Sequence, residues 1–453
     1  MTDDSTREGG APDGAGNGDR DRSRRWKGIL AGVVVACVLA GMGIGYLLTT
    51  IEQRRAEDAA FPAQIVDIDE DELDPSVWGR NFPRQYNQFM RTRDNVGRTT
   101  FGGSDPYDKL EANPFRQRAW AGYAFELEYN NARGHYYAQI DQAESRRTQE
   151  REQPGTCIQC HAAEAPQLID ELGWDEVNQM PYDSLRDKVH LGTSCADCHN
   201  PETMELRITR QAFQHAMDRR GVDLDDASRQ EMRSYVCAQC HVEYYFDDDT
   251  NELIFPWDHG LAVDDMEYYF DENDFADWTH AETNAPMIKI QHPEYELYTQ
   301  GVHHDAGVAC ADCHMPYVRE GGVKVSDHRI RSPLFQISQS CQTCHPSAEE
   351  DLRQRVVRSQ ERTYELLAVA EDAITDLMDA IVEAQDAGVD DDLLDEARDY
   401  HRRSQMRWDF IDAENSTGAH APQEAARILG HSADLARRGE RSAIRALLEA
   451  QQN

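Results

Sequence analysis

Cys310-Ala311-Asp312-Cys313-His314 is the stretch whose reading decides the fold, because its spacing recurs four more times along the chain. The other copies are Cys157, Cys160 and His161; Cys195, Cys198 and His199; Cys237, Cys240 and His241; and Cys341, Cys344 and His345. Ten of the 11 cysteines fall in these five C-x-x-C-H motifs, and the eleventh, Cys37, sits in an apolar run. C-x-x-C-H is the attachment signature of c-type haem: two thiols add to the vinyl groups and the following imidazole binds iron. One isolated C-x-x-C could equally be a redox pair or half a zinc site. Five pairs, each followed directly by His, imply five covalent haems. The haems then supply much of the apolar core, in keeping with the irregular, Gly-, Pro- and aromatic-rich sequence around the motifs. The expected fold is mainly α with little strand, a compact multihaem cytochrome c fold with short helices carrying or preceding the motifs.

Working outward, the chain has 453 residues and 84 Asp+Glu against 46 Lys+Arg, a formal charge of −38. That balance argues against nucleic acid as a partner, since a phosphate backbone is bound by basic surface. A mean hydropathy of −0.75 excludes a polytopic membrane protein. Only five of the 46 basic residues are Lys, a surface suited to saline surroundings, where screening shortens self-repulsion.

Covalent haem attachment takes place outside the cytoplasmic membrane, so the chain must be exported. Residues 28–51 carry no charge. At 1.5 Å per residue this run spans about 36 Å, enough for a hydrocarbon core of about 30 Å. Arg20, Arg22, Arg24, Arg25 and Lys27 precede it, which places the N-terminus in the cytoplasm and the haem region on the periplasmic side. A cleaved signal peptide is the alternative, although its apolar core is usually about 7 to 15 residues. The expected organisation is a disordered cytoplasmic tail at 1–27, a transmembrane anchor at 28–51 and a linker at 52–75. A pentahaem catalytic region at 76–346 and a helical region at 347–453 follow. In the last of these, Val356, Leu366, Leu367, Val369, Ile374, Leu377 and Ile381 recur at helical spacing. Helices are expected over 348–388, 391–412 and 422–449, packing within the chain or forming a dimer interface.

Several motifs resemble one family when read together. They are Cys237-Ala-Gln-Cys-His-Val-Glu-Tyr-Tyr-Phe246, Met287-Ile-Lys-Ile-Gln-His-Pro-Glu-Tyr295, and Gly301-Val-His303 ahead of Cys310. Trp120-Ala-Gly-Tyr123, Tyr129-Asn-Asn-Ala-Arg-Gly-His135, Arg407-Trp-Asp409 and His420-Ala-Pro422 extend the match. The chain from about residue 75 onward resembles the catalytic subunit of pentahaem, ammonia-forming cytochrome c nitrite reductase. Most of that family has Lys after its first C-x-x-C; this chain has His161, as some members do.

The resemblance implies four bis-His haems, with His199 paired to His328, His241 to His135, His314 to His420 and His345 to His303. The haem on Cys157 and Cys160, with His161 as its proximal ligand, would keep an open face for nitrite. Arg147, Tyr244 and His292 would surround that face, Arg147 being chosen over the adjacent Arg146. Calcium would bind Glu243, Gln291 and the carbonyls of Tyr244 and Lys289, all oxygen donors suited to a hard cation. A homodimer and a quinol-linked or soluble multihaem electron donor are further implications. His190, His215, His401 and His431 are read as surface or capping residues. Two other functions remain open: an electron-transfer cytochrome with five bis-His haems, and a related reductase acting on hydroxylamine or sulfite.

Overall fold

The computed structural model describes residues 18–59, 64–94 and 97–452. Helix α1 spans Gly18–Ala59, 42 residues or about 63 Å. Its stretch Arg24–Glu52 is long and apolar enough to cross a membrane. The helix outruns the uncharged segment at both ends. Residues 18–27, expected within the tail, and 52–59, expected as linker, continue the same helix, while 1–17 and 60–63 lie outside the described residues. The flanks are rich in Arg, Gln, Glu and Ala, good helix formers, and the next proline is Pro62.

The remainder of the expected linker is a pinned strap. Asn81 Oδ1 accepts hydrogen bonds from the backbone N–H groups of Ile65 (2.8 Å) and Val66 (3.0 Å), and its Nδ2 donates to the Val66 carbonyl (2.8 Å). Further along, Gln167 Nε2 donates to the Asp71 carbonyl and Ser194 Oγ to that of Leu73. Helix α2 (Pro75–Asn81) then starts where Asp74 caps the Ser76 N–H and proline takes the first helical position.

Strand content is small, as expected: among the described residues there are three two-stranded antiparallel ribbons. These are β1 (Tyr245–Phe246) with β2 (Leu253–Ile254), β3 (Trp278–Thr279) with β4 (Pro286–Met287), and β5 (Tyr317–Glu320) with β6 (Val323–Ser326). Before them, α3 (Arg229–Ala238) opens on a reciprocal Ser228/Glu231 capping box and delivers Cys237 in its last turn.

The C-terminal region is three long helices: α4 (Glu349–Asp386), α5 (Asp395–Asp412) and α6 (Pro422–Ala450). A short 3-10 turn, Asp391–Leu393, precedes α5, so the second helix begins slightly later than its sequence pattern suggests. On α4, Leu367, Ile374, Leu377 and Ile381 are buried, at the i, i+3, i+4 spacing of one face. Val369 is instead 42 % exposed, because it lies two positions from Leu367 and so about 200° around the helix. At Gly439, α6 approaches its neighbours closely: a Cβ there would stand 2.7 Å from Tyr400 Cβ and 2.8 Å from Leu377 Cδ1. The main core joins these helices to the motif-bearing region through Trp120, Phe213, Trp257, Ile290, Leu377 and Trp408.

Candidate haem and active site

Each motif adopts a helical turn or its beginning, as in Cys310–His314 and Ile158–His161. Residues i, i+3 and i+4 of a helical turn share a face, so both thiols and the imidazole point the same way. They point into one continuous cavity of about 2830 Å³. Nine of the ten motif cysteines and all five motif histidines line it, together with His135, His303, His328 and His420. Single-ligand pockets measure about 300–1,000 Å³; this cavity is sized for several large groups side by side. Neighbouring motifs touch through their thiols. Cys160 contacts Cys240, and Cys237 contacts Cys310, while Cys198 lies near Cys240 and Cys313 near Cys341. The sites therefore form one connected, branched array, with the Cys237/Cys240 site adjoining three others, rather than five separate pockets.

Four motif histidines face a second imidazole across that cavity. The ring centroids are 6.1 Å apart for His135 and His241, 6.2 Å for His199 and His328, 6.2 Å for His303 and His345, and 6.3 Å for His314 and His420. Such a spacing equals two metal–nitrogen bonds of about 2 Å plus the two ring radii, so each pair could clasp one metal ion. On three of these rings Nδ1 is occupied by a backbone carbonyl. His199 Nδ1 meets the Met204 carbonyl (3.0 Å), His314 Nδ1 that of Arg331 (3.1 Å) and His328 Nδ1 that of Ser326 (2.8 Å). A proton held on Nδ1 leaves Nε2 free as the ligand.

His161 is different. Its Nδ1 meets the Ala138 carbonyl at 3.0 Å in the same way, but among the described residues no second imidazole ring pairs with it at that spacing, His292 lying farther off. The groups around it are those singled out in the sequence. Arg147, Tyr244 and Gln291 share with Cys157, Cys160 and His161 the lining of an adjoining cavity of about 210 Å³, and His292 lines the large one. The Arg147 guanidinium stacks on Phe125, 4.1 Å from the ring centroid. Its neighbour Arg146 turns outward to an exposed ion pair with Glu150 (2.7 Å) and to the Leu127 carbonyl. Burial holds His292 down at about 4, with Glu294 opposing, and pushes the Tyr244 phenol well above its ordinary value.

Beside this site stands an oxygen-rich cluster. Glu243 is fully buried; its Oε2 accepts the Gln291 backbone N–H (2.6 Å), and its Oε1 has no hydrogen-bond partner among the described residues. Gln291 Nε2 reaches toward the Lys289 carbonyl (3.4 Å). Burial drives the Glu243 carboxyl well above the usual range, Glu296 up to about 8 and Asp277 up to about 7. Two buried carboxyls and the half-buried Asp277 crowd the cluster, and the Lys289 ammonium is already engaged by Asp409 (2.9 Å, both side chains fully buried). An unpartnered buried carboxylate oxygen amid carbonyls and an amide oxygen suits a hard cation, which would relieve this crowding.

A family model for cytochrome c552 matches residues 74–452. The chain belongs to the cytochrome c552 family. Among curated relatives, cytochrome c-552 of Bacteroides fragilis strain YCH46 is 42 % identical over 403 residues, covering 87 % of this chain and 81 % of that one. Cytochrome c-552 of Porphyromonas gingivalis is 40 % identical over 428 residues, covering 91 % and 84 %. Among solved structures, the catalytic subunit of cytochrome c nitrite reductase from Desulfovibrio desulfuricans ATCC 27774 superposes with a TM-score of 0.80 at 35 % identity, covering 84 % of this chain and 88 % of that one. That subunit is described with two calcium sites.

In this cytochrome c552 some participants escaped the sequence. Phe125 under Arg147, Asp409 on Lys289 and Glu296 behind Glu243 are long-range partners without local spacing; only Asp409 lay in a quoted motif. One expectation is corrected. His401 is not a surface residue but fully buried, hydrogen-bonding Thr283 Oγ1 (3.0 Å) and Gln405 Oε1 (3.1 Å) beside His280. It ties the 280–285 loop to α5.

Proposed function

We propose that this cytochrome c552 carries five covalent haems and reduces nitrite to ammonium, taking up six electrons, at the haem on Cys157 and Cys160. The single observation behind this reading is the contrast between four paired motif histidines and His161 without a second ring at that spacing. Four sites then relay electrons, and one keeps a coordination position for substrate. The haem iron supplies that position and the electrons; the rest falls to the chain's own side chains. Arg147, fixed on Phe125, binds the nitrite anion through charge-assisted hydrogen bonds. Held largely neutral by burial, the His292 imidazole offers a ring N–H donor and a proton path at the substrate oxygens. Tyr244 stays protonated and donates its phenol hydrogen. Glu243, Gln291 and the carbonyls of Tyr244 and Lys289 hold calcium, which braces Tyr244 and His292 from one point.

Helix α1 anchors the protein with its haem region outside the cytoplasm, the long C-terminal helices form a homodimer, and a separate quinol-linked or multihaem donor feeds electrons. Wild-type protein supplied with reduced viologen should form ammonium from nitrite with about six electrons consumed per ammonium. No turnover at full haem load would overturn the reading in favour of an electron carrier.

A further inference from the structure

The loop between α5 and α6 does more than present His420. Glu414, fully buried, accepts hydrogen bonds at Oε2 from Ser416 Oγ (2.8 Å) and the Gly418 N–H (3.2 Å), and Ser416 Oγ in turn accepts the His420 N–H (3.0 Å). Gly418 permits the turn: its φ is +74°, and a Cβ there would stand 2.7 Å from Thr363 Oγ1. The loop is thereby wound so that Glu414 Oε1 lies 2.6 Å from His420 Nδ1. Among the described residues Oε1 has no hydrogen-bonded partner, and the ring is not aligned for a full hydrogen bond. The imidazole is the group that faces it.

The next residue repeats the device on the neighbouring site. Asn415 donates its backbone N–H (3.3 Å) and its Nδ2 to Glu294 Oε1. That leaves Glu294 Oε2, buried and without a hydrogen bond among the described residues, 3.7 Å from His241 Nδ1. His241 belongs to the motif of Cys237, and His420 faces His314 of the motif of Cys310; the thiols of Cys237 and Cys310 touch. Where the other histidines of the array show an Nδ1 partner (His161, His199, His314 and His328), it is a neutral backbone carbonyl. Two adjacent sites therefore each have a buried carboxylate behind one axial imidazole.

We propose that Glu294 and Glu414 are positioning residues that set the reduction potentials of the two adjacent haems on Cys237/Cys240 and Cys310/Cys313, holding them lower than carbonyl-backed imidazoles would. The proposal rests on the reading of His241 and His420 as axial ligands. A buried carboxylate beside Nδ1 places negative charge next to the axial ligand, which stabilises the ferric over the ferrous state. One-electron reduction of each haem is then harder, and the pair forms the more reducing middle of the relay. Asn415 couples the two settings, because the loop that places Glu414 also orients Glu294.

The test is a redox titration of the full-length five-haem protein, followed by visible and electron paramagnetic resonance spectra, without nitrite. Glu414→Gln and Glu294→Gln keep size and remove the charge. Each should move one bis-His haem at least tenfold toward the ferrous state at a given potential, a rise of about 59 mV for one electron. The four other haems should hold their midpoints within a smaller shift. Glu294→Gln is independent of the turn that Glu414 winds, so it tests the idea even if the Glu414 variant loses haem. Unchanged midpoints in a fully haem-loaded Glu294→Gln protein would overturn the proposal. Nitrite turnover by the wild type is measured apart, so an inactive wild type with shifted variants would refute the reductase reading and leave this one standing.

Discussion

Asp409→Ala tests how the active-site segment is held. Asp409 accepts the Lys289 ammonium at Oδ1 (2.9 Å) and the Ile290 N–H at Oδ2 (3.0 Å), with both charged side chains fully buried. Lys289 also packs over Trp120, 4.6 Å from the ring centroid, and Phe125, 4.9 Å away. Removing the carboxylate strands a buried ammonium among aromatic rings, which costs about 3–5 kcal/mol. This cost falls on the opening of residues 289–292, the segment that carries Gln291 and His292. At about 1.4 kcal/mol per tenfold, hydrogen exchange of the Ile290 amide should quicken by about 100- to 4,000-fold. Local exchange suits a protein with covalent cofactors, for which one global unfolding energy is poorly defined. Mass spectrometry of the peptide spanning these residues gives the rate. A Lys289→Met/Asp409→Leu double variant removes both charges and should recover most of the protection. Equal exchange in wild type and a folded Asp409→Ala protein would refute the claim that α5 secures this segment.

Arg147→Ala should lower kcat/KM for nitrite by about 10- to 150-fold, the loss of one charged hydrogen bond of about 1.5–3 kcal/mol. Arg146→Ala, whose partners are Glu150 and a surface carbonyl, should leave it unchanged, and steady-state kinetics of the pair decides which arginine serves. Glu243→Gln should lower calcium content by elemental analysis and reduce turnover while five haems remain bound; full calcium content would remove Glu243 from the site. Gly439→Val forces side-chain atoms into Tyr400 and Leu377 and should destabilise the α4–α6 bundle by about 1–3 kcal/mol, read as a lower thermal midpoint.

The parts legible in the sequence are those with a local period. The helices 349–386, 395–412 and 422–450 follow from apolar spacing and from Pro422 at a first helical position. The C-x-x-C-H motifs carry their chemistry in five consecutive residues. Their distal histidines do not: His135 and His241 are 106 residues apart, as are His314 and His420. No spacing joins them, and only the resemblance to a known family paired them, in pairs that the fold brings face to face. Pairings outside the quoted motifs stayed hidden. Asn81 pins a strap read as linker, and Asn415 aims Glu294 at His241, because both depend on where distant segments meet. Helix α1 runs past the uncharged segment 28–51 at both ends, since Arg and Glu continue a helix readily.

The most direct measurement is the spin-state and ligand-binding count of the haems in the resting ferric protein, by electron paramagnetic resonance and nitrite titration. The account requires one high-spin haem among five, binding one nitrite per chain, and four low-spin haems indifferent to it. Five low-spin haems with no nitrite bound would contradict it, showing that His161 faces a closed site.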